Sequence, residues 1–292
     1  MKEIRGVITA MATPFGEGGA VDEAAALKLA THLLEHGSHG LVISGSTGEA
    51  PTLTDEEALV LLRALRAELG DETLLVCGTG TNDTRHSIEL TKGAVEAGAD
   101  AALVVTPYYN KPNPAGIQAH FEAIAAAIPS FPLIAYNIPS RVVVNVPPGD
   151  LAELAKIGSV VAVKQANNEE LQPIEGLNLL AGNDDVFLRT LELGGDGGIL
   201  VASHLVGPQM RAMWDAAQAG DLDRARAIDA ELRELYAAMG VTTNPIPVKA
   251  ALEMTGLIPS GRLRLPLVPA DGEQRAVIRT ALESVGLTPV KS

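Results

Sequence analysis

Lys164 closes the run Ser159-Val160-Val161-Ala162-Val163-Lys164-Gln165-Ala166-Asn167, and that position is the first sign of chemistry. Four consecutive β-branched or small apolar residues predict a strand buried on both faces. An amine at its emerging end loses hydration, which favours the neutral, nucleophilic form. Moved from about 10.4 towards roughly 7–8, its pKa would let it attack a carbonyl and form a Schiff base. A lysine that merely snorkels from a strand end into solvent has the same local sequence.

Three other stretches bear on the choice. In Ser44-Gly45-Ser46-Thr47-Gly48-Glu49, glycines around hydroxyl residues let backbone N–H groups approach an anion such as a carboxylate, although a Ser/Thr turn before a helix reads alike. Thr106-Pro107-Tyr108-Tyr109-Asn110 and Tyr136-Asn137-Ile138-Pro139-Ser140-Arg141 each follow an apolar run. They hold three of the chain's 4 tyrosines, phenols that can relay protons or simply sit at a core edge with wet hydroxyls. Arg141 offers a fork for a carboxylate or a structural salt bridge. Together, an amine, phenols, hydroxyls, an amide-lined anion pocket and a guanidinium suit imine chemistry on a 2-oxo acid, with no metal or other cofactor required.

Two further signals point elsewhere. His32-Leu33-Leu34-Glu35-His36 matches the H-x-x-E-H pattern of inverted zinc peptidases, with His39 nearby, but no acidic third-ligand motif has convincing spacing. Histidines at a helix C-terminus are also what the helix dipole favours. Gly194-Gly195-Asp196-Gly197-Gly198 has the glycine content of a phosphate loop, yet Asp196 would repel phosphate, and a tight turn into the next strand is the simpler reading.

The elements that must position these groups follow from the hydrophobic rhythm. Apolar runs recur near residues 6–13, 40–45, 73–78, 101–106, 132–137, 160–165, 178–182 and 198–203. Most are separated by Ala/Leu/Glu-rich segments long enough for helices. Residues 54–69 show the pattern: Thr54 and Glu57 form a capping box, and Ala58, Leu61, Leu62, Leu65 and Leu69 mark one helical face. Asp22 starts an earlier helix, while Gly37 and Gly98 end theirs. The segment between the sixth and seventh strands is short for a helix.

Eight such units admit a closed barrel or an open doubly wound sheet. The length, and the lack of G-x-G-x-x-G after the first strand, favour an α/β fold of the (β/α)8 TIM barrel type over residues 1–220. Residues 221–239, 245–256 and 272–285 predict helices, so 221–292 is expected to be a C-terminal helical appendage packed on the barrel. In such a barrel the strand C-terminal ends carry the active groups, which is where Ser46, Tyr109, Tyr136, Arg141 and Lys164 fall.

The 292 residues carry a net charge of −14, which opposes phosphate backbones and anionic lipid and argues against nucleic-acid or membrane partners. The single cysteine, Cys77, allows no intrachain disulfide and lies in an apolar run that suggests burial. No apolar run approaches the ~18 residues of a membrane span, and the N-terminus is unlike a signal peptide. A soluble, cytoplasmic protein is expected.

The chain resembles the dihydrodipicolinate synthase family, within the pyruvate-dependent class I lyases and aldolases. The resemblance rests on Gly45-Ser46-Thr47-Gly48-Glu49, Thr106-Pro107-Tyr108-Tyr109, Tyr136-Asn137-Ile138-Pro139-Ser140-Arg141, Val163-Lys164, Asn244-Pro245-Ile246-Pro247-Val248-Lys249 and Leu265-Pro266-Leu267-Val268-Pro269, in that order. It implies a lyase that condenses pyruvate with L-aspartate 4-semialdehyde in lysine and diaminopimelate synthesis, with the substrate imine as its only covalent group. Lys164 would form that imine. Tyr136, Ser46 and Tyr109 would relay protons, Tyr109 reaching into a neighbouring subunit's site. The backbone of Ser46 and Thr47 would hold the pyruvate carboxylate and Arg141 that of the semialdehyde, with Ile199 also at the substrate. A homotetramer, built as a dimer of dimers, is implied.

The chain departs from the family pattern in places. Val142-Val143 follow the arginine where Thr-Gly is usual, and Gln165 follows the lysine where a glutamate is common. His86 stands where lysine-inhibited members carry a glutamate, and Ala50 and Ala58 replace polar residues of that inhibitory pocket. Weak or absent feedback inhibition by lysine is therefore expected. Two other readings stay open: another pyruvate-dependent aldolase of the same superfamily, and a non-catalytic barrel that binds a 2-oxo acid.

Overall fold

The computed structural model describes residues 2–290. Eight parallel strands pair in sequence order and close into a barrel: β1 (Gly6–Ala10), β2 (Gly40–Ile43), β3 (Leu74–Gly78), β4 (Ala101–Val105), β5 (Leu133–Asn137), β6 (Val160–Gln165), β7 (Asn178–Ala181) and β8 (Gly197–Leu200). Each strand is apolar on both sides because it faces two cores. Ile8, Val42, Val76, Leu103, Ile134, Ala162, Leu180 and Ile199 fill the interior. Val7, Leu41, Leu75, Cys77, Val104, Ala135, Val163 and Leu200 face the surrounding helices. Cys77 is buried in that outer layer, and loss of hydration pushes its thiol up to about 12, which leaves it unreactive.

The outer layer consists of α1 (Glu23–Glu35), α2 (Asp55–Leu69), α3 (Thr84–Glu96), α4 (Pro114–Ala127), the short α5 (Pro139–Val142), α6 (Pro148–Ala155), α7 (Phe187–Glu192) and α8 (Ser203–Gln218). Local sequence explains their limits. The Asp22 carboxylate accepts the N–H of Ala25 at the start of α1, and the Thr54–Glu57 capping box starts α2. Gly37 and Gly98, both at positive φ, turn the chain after α1 and α3. Between β6 and β7 the chain makes only a 3-10 turn, Asn168–Glu170, because too few residues are available for a covering helix.

Three more helices follow: α9 (Leu222–Met239), α10 (Ile246–Met254) and α11 (Gly272–Ser284). α9 packs along α8, and α11 lies on α9 and α10. Leu232, Leu235, Val248, Leu252, Ile278 and Leu282 from these helices join the same outer core as the barrel helices. Among the described residues, no helix is long and apolar enough to cross a membrane.

Candidate active site

Side-chain alternation on β6 places Ala162 in the barrel interior and therefore turns Lys164 inward as well, two residues nearer the C-terminal mouth. Register does the rest: Lys164 pairs with Tyr136 across β5 and β6, so both side chains project into the lumen at one level. The Lys164 Nζ lies 4.2 Å from the centroid of the Tyr136 ring, and both residues are buried. Thr106 fixes the end of β5, since its N–H and hydroxyl both donate to the Tyr136 carbonyl at 3.1 Å.

Burial sets the electrostatics. Loss of hydration lowers the Lys164 pKa to about 7, helped by the charge of Arg141 and opposed by Asp184. The same loss pushes the Tyr136 phenol up to about 12, while Arg141 and the Ser46 side chain pull the other way. At neutral pH the amine is thus poised between its two forms while the phenol keeps its proton. That division gives a nucleophile and a proton donor side by side.

The loop after β2 is shaped at both ends by left-handed residues, Ser44 at φ 57 and Glu49 at φ 58. Gly78 on β3 permits its close approach, since a Cβ there would lie 2.2 Å from the Ser44 carbonyl oxygen. Among the described residues, no protein group accepts a hydrogen bond from the backbone N–H of Ser46 or Thr47. Two adjacent amides in this setting suit a carboxylate. The Thr47 side chain is buried, and its hydroxyl oxygen accepts from the Asn244 amide at 2.9 Å. Arg141, on α5, donates from Nη2 to the Asn244 carbonyl at 2.8 Å and leaves the rest of its exposed guanidinium free to face an anion. Ile199 is fully buried in the interior cluster that also holds Tyr136.

Tyr109 stands apart. It is 88% exposed, at φ 71, whereas Tyr136 and Lys164 are buried. Among the described residues no three His, Cys, Asp or Glu side chains gather as a metal-binding group: His32 and His36 stack at 3.8 Å at the far end of α1, while the His39 Nδ1 accepts from the Val7 N–H at 3.0 Å and its ring meets Trp214.

Of the two departures beside the site, Gln165 has a structural explanation. Gln165 shares the outward parity of Val163, away from the lumen. Its Oε1 accepts from the Asn137 amide at 3.0 Å and from the Asn167 N–H at 2.9 Å, so it braces the strand ends rather than bordering the amine. Val142 is buried against the interior cluster, and Val143 is exposed at φ 70.

Two groups near the site have no role in the sequence-based reading. Asp184, just after β7, accepts from the N–H groups of Val201 and Ala202 at 2.9 and 3.1 Å. Desolvation raises its pKa to about 6 even against those donors and the Lys164 charge. The acidic pair Asp184-Asp185 at a strand's C-terminal end was its available signal. The other is Asn244: its motif marks the family resemblance, but its contact with Thr47, 197 residues away along the chain, cannot be read from that motif.

A closed parallel barrel with a desolvated amine and a phenol on neighbouring strand ends fits a class, the barrel lyases and aldolases that work through a lysine imine. Within that class the chain belongs to the dihydrodipicolinate synthetase family, whose model matches residues 3–285. A curated relative from Cyanothece sp., named 4-hydroxy-tetrahydrodipicolinate synthase, is 45% identical over 96% of this chain and 98% of its own length. The dihydrodipicolinate synthase of Cyanidioschyzon merolae, solved with lysine bound, superposes with a TM-score of 0.93 at 38% identity, covering 97% of this chain and 98% of that one. The chloride-inhibited enzyme of Acinetobacter baumannii, solved with pyruvate, gives 0.93 at 36% identity, covering 98% and 100%.

Proposed function

We propose that this chain condenses pyruvate with L-aspartate 4-semialdehyde, the 4-hydroxy-tetrahydrodipicolinate synthase reaction of lysine and diaminopimelate synthesis. The observation that carries the proposal is the buried Lys164 amine, its pKa held at about 7 beside the Tyr136 ring. The named activity of relatives at 45% identity over nearly the whole chain supports the choice of substrates.

In this reading the neutral Lys164 amine attacks the keto carbon of pyruvate. Tyr136, protonated at neutral pH, gives a proton to the departing oxygen, and water leaves as the imine forms. Tyr136, left as the phenolate, takes a proton from the pyruvate methyl group and so produces the enamine. The enamine carbon attacks the aldehyde, whose oxygen takes that proton back from Tyr136 to become the product hydroxyl. The amino group of the semialdehyde then attacks the imine carbon, closing the ring and releasing Lys164 as the free amine. One water is lost overall and no electrons are exchanged. The amides of Ser46 and Thr47 hold the pyruvate carboxylate, Arg141 holds that of the semialdehyde, and Ile199 lines the substrate cavity.

Assembly as a homotetramer, a dimer of dimers, belongs to the same proposal. A bulky tyrosine held exposed in a left-handed conformation, as Tyr109 is, suits a group that completes a neighbouring protomer's proton relay with Ser46 and Tyr136. Sedimentation at micromolar concentration tests it, and a monomer with full activity would remove Tyr109 from the mechanism. A cytoplasmic location is supported by the chain's single, buried cysteine.

The decisive experiment is borohydride reduction in the presence of pyruvate, followed by a coupled assay with both substrates. Lys164 should gain the mass of the reduced pyruvate adduct, and Lys164→Ala should not. Labelling without turnover of the semialdehyde would assign the chain to another aldolase of the class, and no labelling would leave a binding protein.

A further inference from the structure

Glu49 and Lys249 form an ion pair in which both side chains are almost completely shielded, with Nζ 2.6 Å from Oε1. The second carboxylate oxygen accepts the backbone N–H of Arg264 at 3.0 Å. The Lys249 amine also lies 4.1 Å from the centroid of the Phe15 ring, beyond the end of β1. Such a pair gives up hydration on both partners and gains little stability over a well-packed apolar replacement. What it supplies is direction, because it anchors Glu49, the left-handed residue that ends the loop carrying Ser46 and Thr47.

The neighbouring contacts converge on that loop. Gly48 is held through its carbonyl, which accepts from the Thr13 hydroxyl at 2.8 Å. Asn244, on the same segment as Lys249, grips Thr47 with its amide and Arg141 with its carbonyl. One stretch from beyond the barrel, residues 244–249, thus touches the loop at Thr47 and Glu49 and also reaches Arg141.

We infer that Glu49 and Lys249 are positioning residues for carboxylate recognition: the pair fixes the backbone course of Ser46 and Thr47 and makes the C-terminal helical region part of the anion pocket. The inference rests on the reading of that pocket as the pyruvate site. It also gives residues 221–292 a role beyond covering apolar surface.

The test compares Glu49→Gln, Lys249→Met and the double variant with the wild-type chain by steady-state kinetics in both substrates, pyruvate–borohydride labelling and thermal unfolding. Glu49→Gln must break one of its two contacts, because its amide offers a single acceptor oxygen. Pyruvate KM should rise about tenfold in each single variant, the effect of one weakened charge-assisted contact, while semialdehyde KM stays within about threefold. The double variant should be no worse than Lys249→Met alone, since the two groups act as a unit. If Lys249→Met does not fold, Glu49→Gln carries the same comparison. An unmoved pyruvate KM with a lowered thermal midpoint, or an equal rise in both KM values, would overturn the inference. A wild-type chain that is never labelled would bring down the underlying reading as well; a labelled wild type with unaltered variants would bring down the inference alone.

Discussion

The Lys164 amine faces the Tyr136 ring at 4.2 Å from a strand paired in register with the tyrosine's own. The ring face by itself favours the ammonium ion. Loss of hydration outweighs it, so the amine's pKa falls to about 7. The pair therefore joins a deprotonatable nucleophile to a phenol that stays protonated, with its own pKa at about 12.

The first consequence is a pH profile. The initial rate of borohydride trapping at limiting pyruvate should rise as pH passes through about 7, as the amine loses its proton, and should level above it. Asp184 favours the charged amine, so Asp184→Asn should move the midpoint to lower pH. A midpoint that stays near the ordinary lysine value would show that burial does not activate Lys164.

Stability should carry the same signature with a definite sign. The folded chain disfavours the ammonium form, so between about 7 and 10.5 the unfolded chain binds more protons and stability rises with pH. Below about 7 the whole penalty is present; above 10.5 it is gone. Lys164→Met should therefore stabilise the inactive protein at pH 7 by a few kcal/mol, and the gain should shrink towards pH 10.5. Denaturant titrations at the two pH values check it; a gain of equal size at both would attribute the effect to packing.

Tyr136→Phe keeps the ring beneath the amine and removes only the phenol. kcat should fall by about 10²–10⁴, the usual contribution of a positioned proton carrier. Unchanged far-ultraviolet circular dichroism would show that the barrel is intact. A fall of less than threefold would mean that another group moves the proton.

Arg141→Ala should damage the second half of the reaction. The semialdehyde KM should rise by roughly 10–100-fold, as expected for loss of a charge-assisted contact worth about 1.5–3 kcal/mol. Pyruvate trapping should remain largely intact, because the imine forms without that guanidinium. Unaltered kinetics in both substrates would remove Arg141 from the site.

Feedback inhibition by L-lysine should be weak or absent. His86 lies at the start of α3, and its Nε2 is engaged with the Asp55 carboxylate at 2.8 Å, so this position supplies no free acidic partner for the inhibitor's amino group. Millimolar L-lysine should leave the condensation rate within about twofold, because the charge-assisted contact is missing. Clear inhibition at micromolar concentration would refute this.

The sequence determined much of this protein by local rules. Hydrophobic runs at regular spacing fixed the eight barrel strands, and capping residues such as Asp22 and Thr54 fixed where helices begin. An amine at the end of a doubly apolar strand was legible as a candidate nucleophile, but the strand alone read equally as a lysine snorkelling into solvent, and only its conjunction with the hydroxyl, phenol and guanidinium stretches favoured imine chemistry. Tertiary structure decided the rest. Register brought Tyr136 level with Lys164, and parity turned Gln165 away from the lumen. Barrel closure set Asp184 beside β8, and chain return carried Asn244 and Lys249 back to Thr47 and Glu49, about 200 residues earlier. Those contacts have no period and no spacing to read. They arise only when distant segments bury a common surface, and their geometry is settled by the packing of the whole barrel.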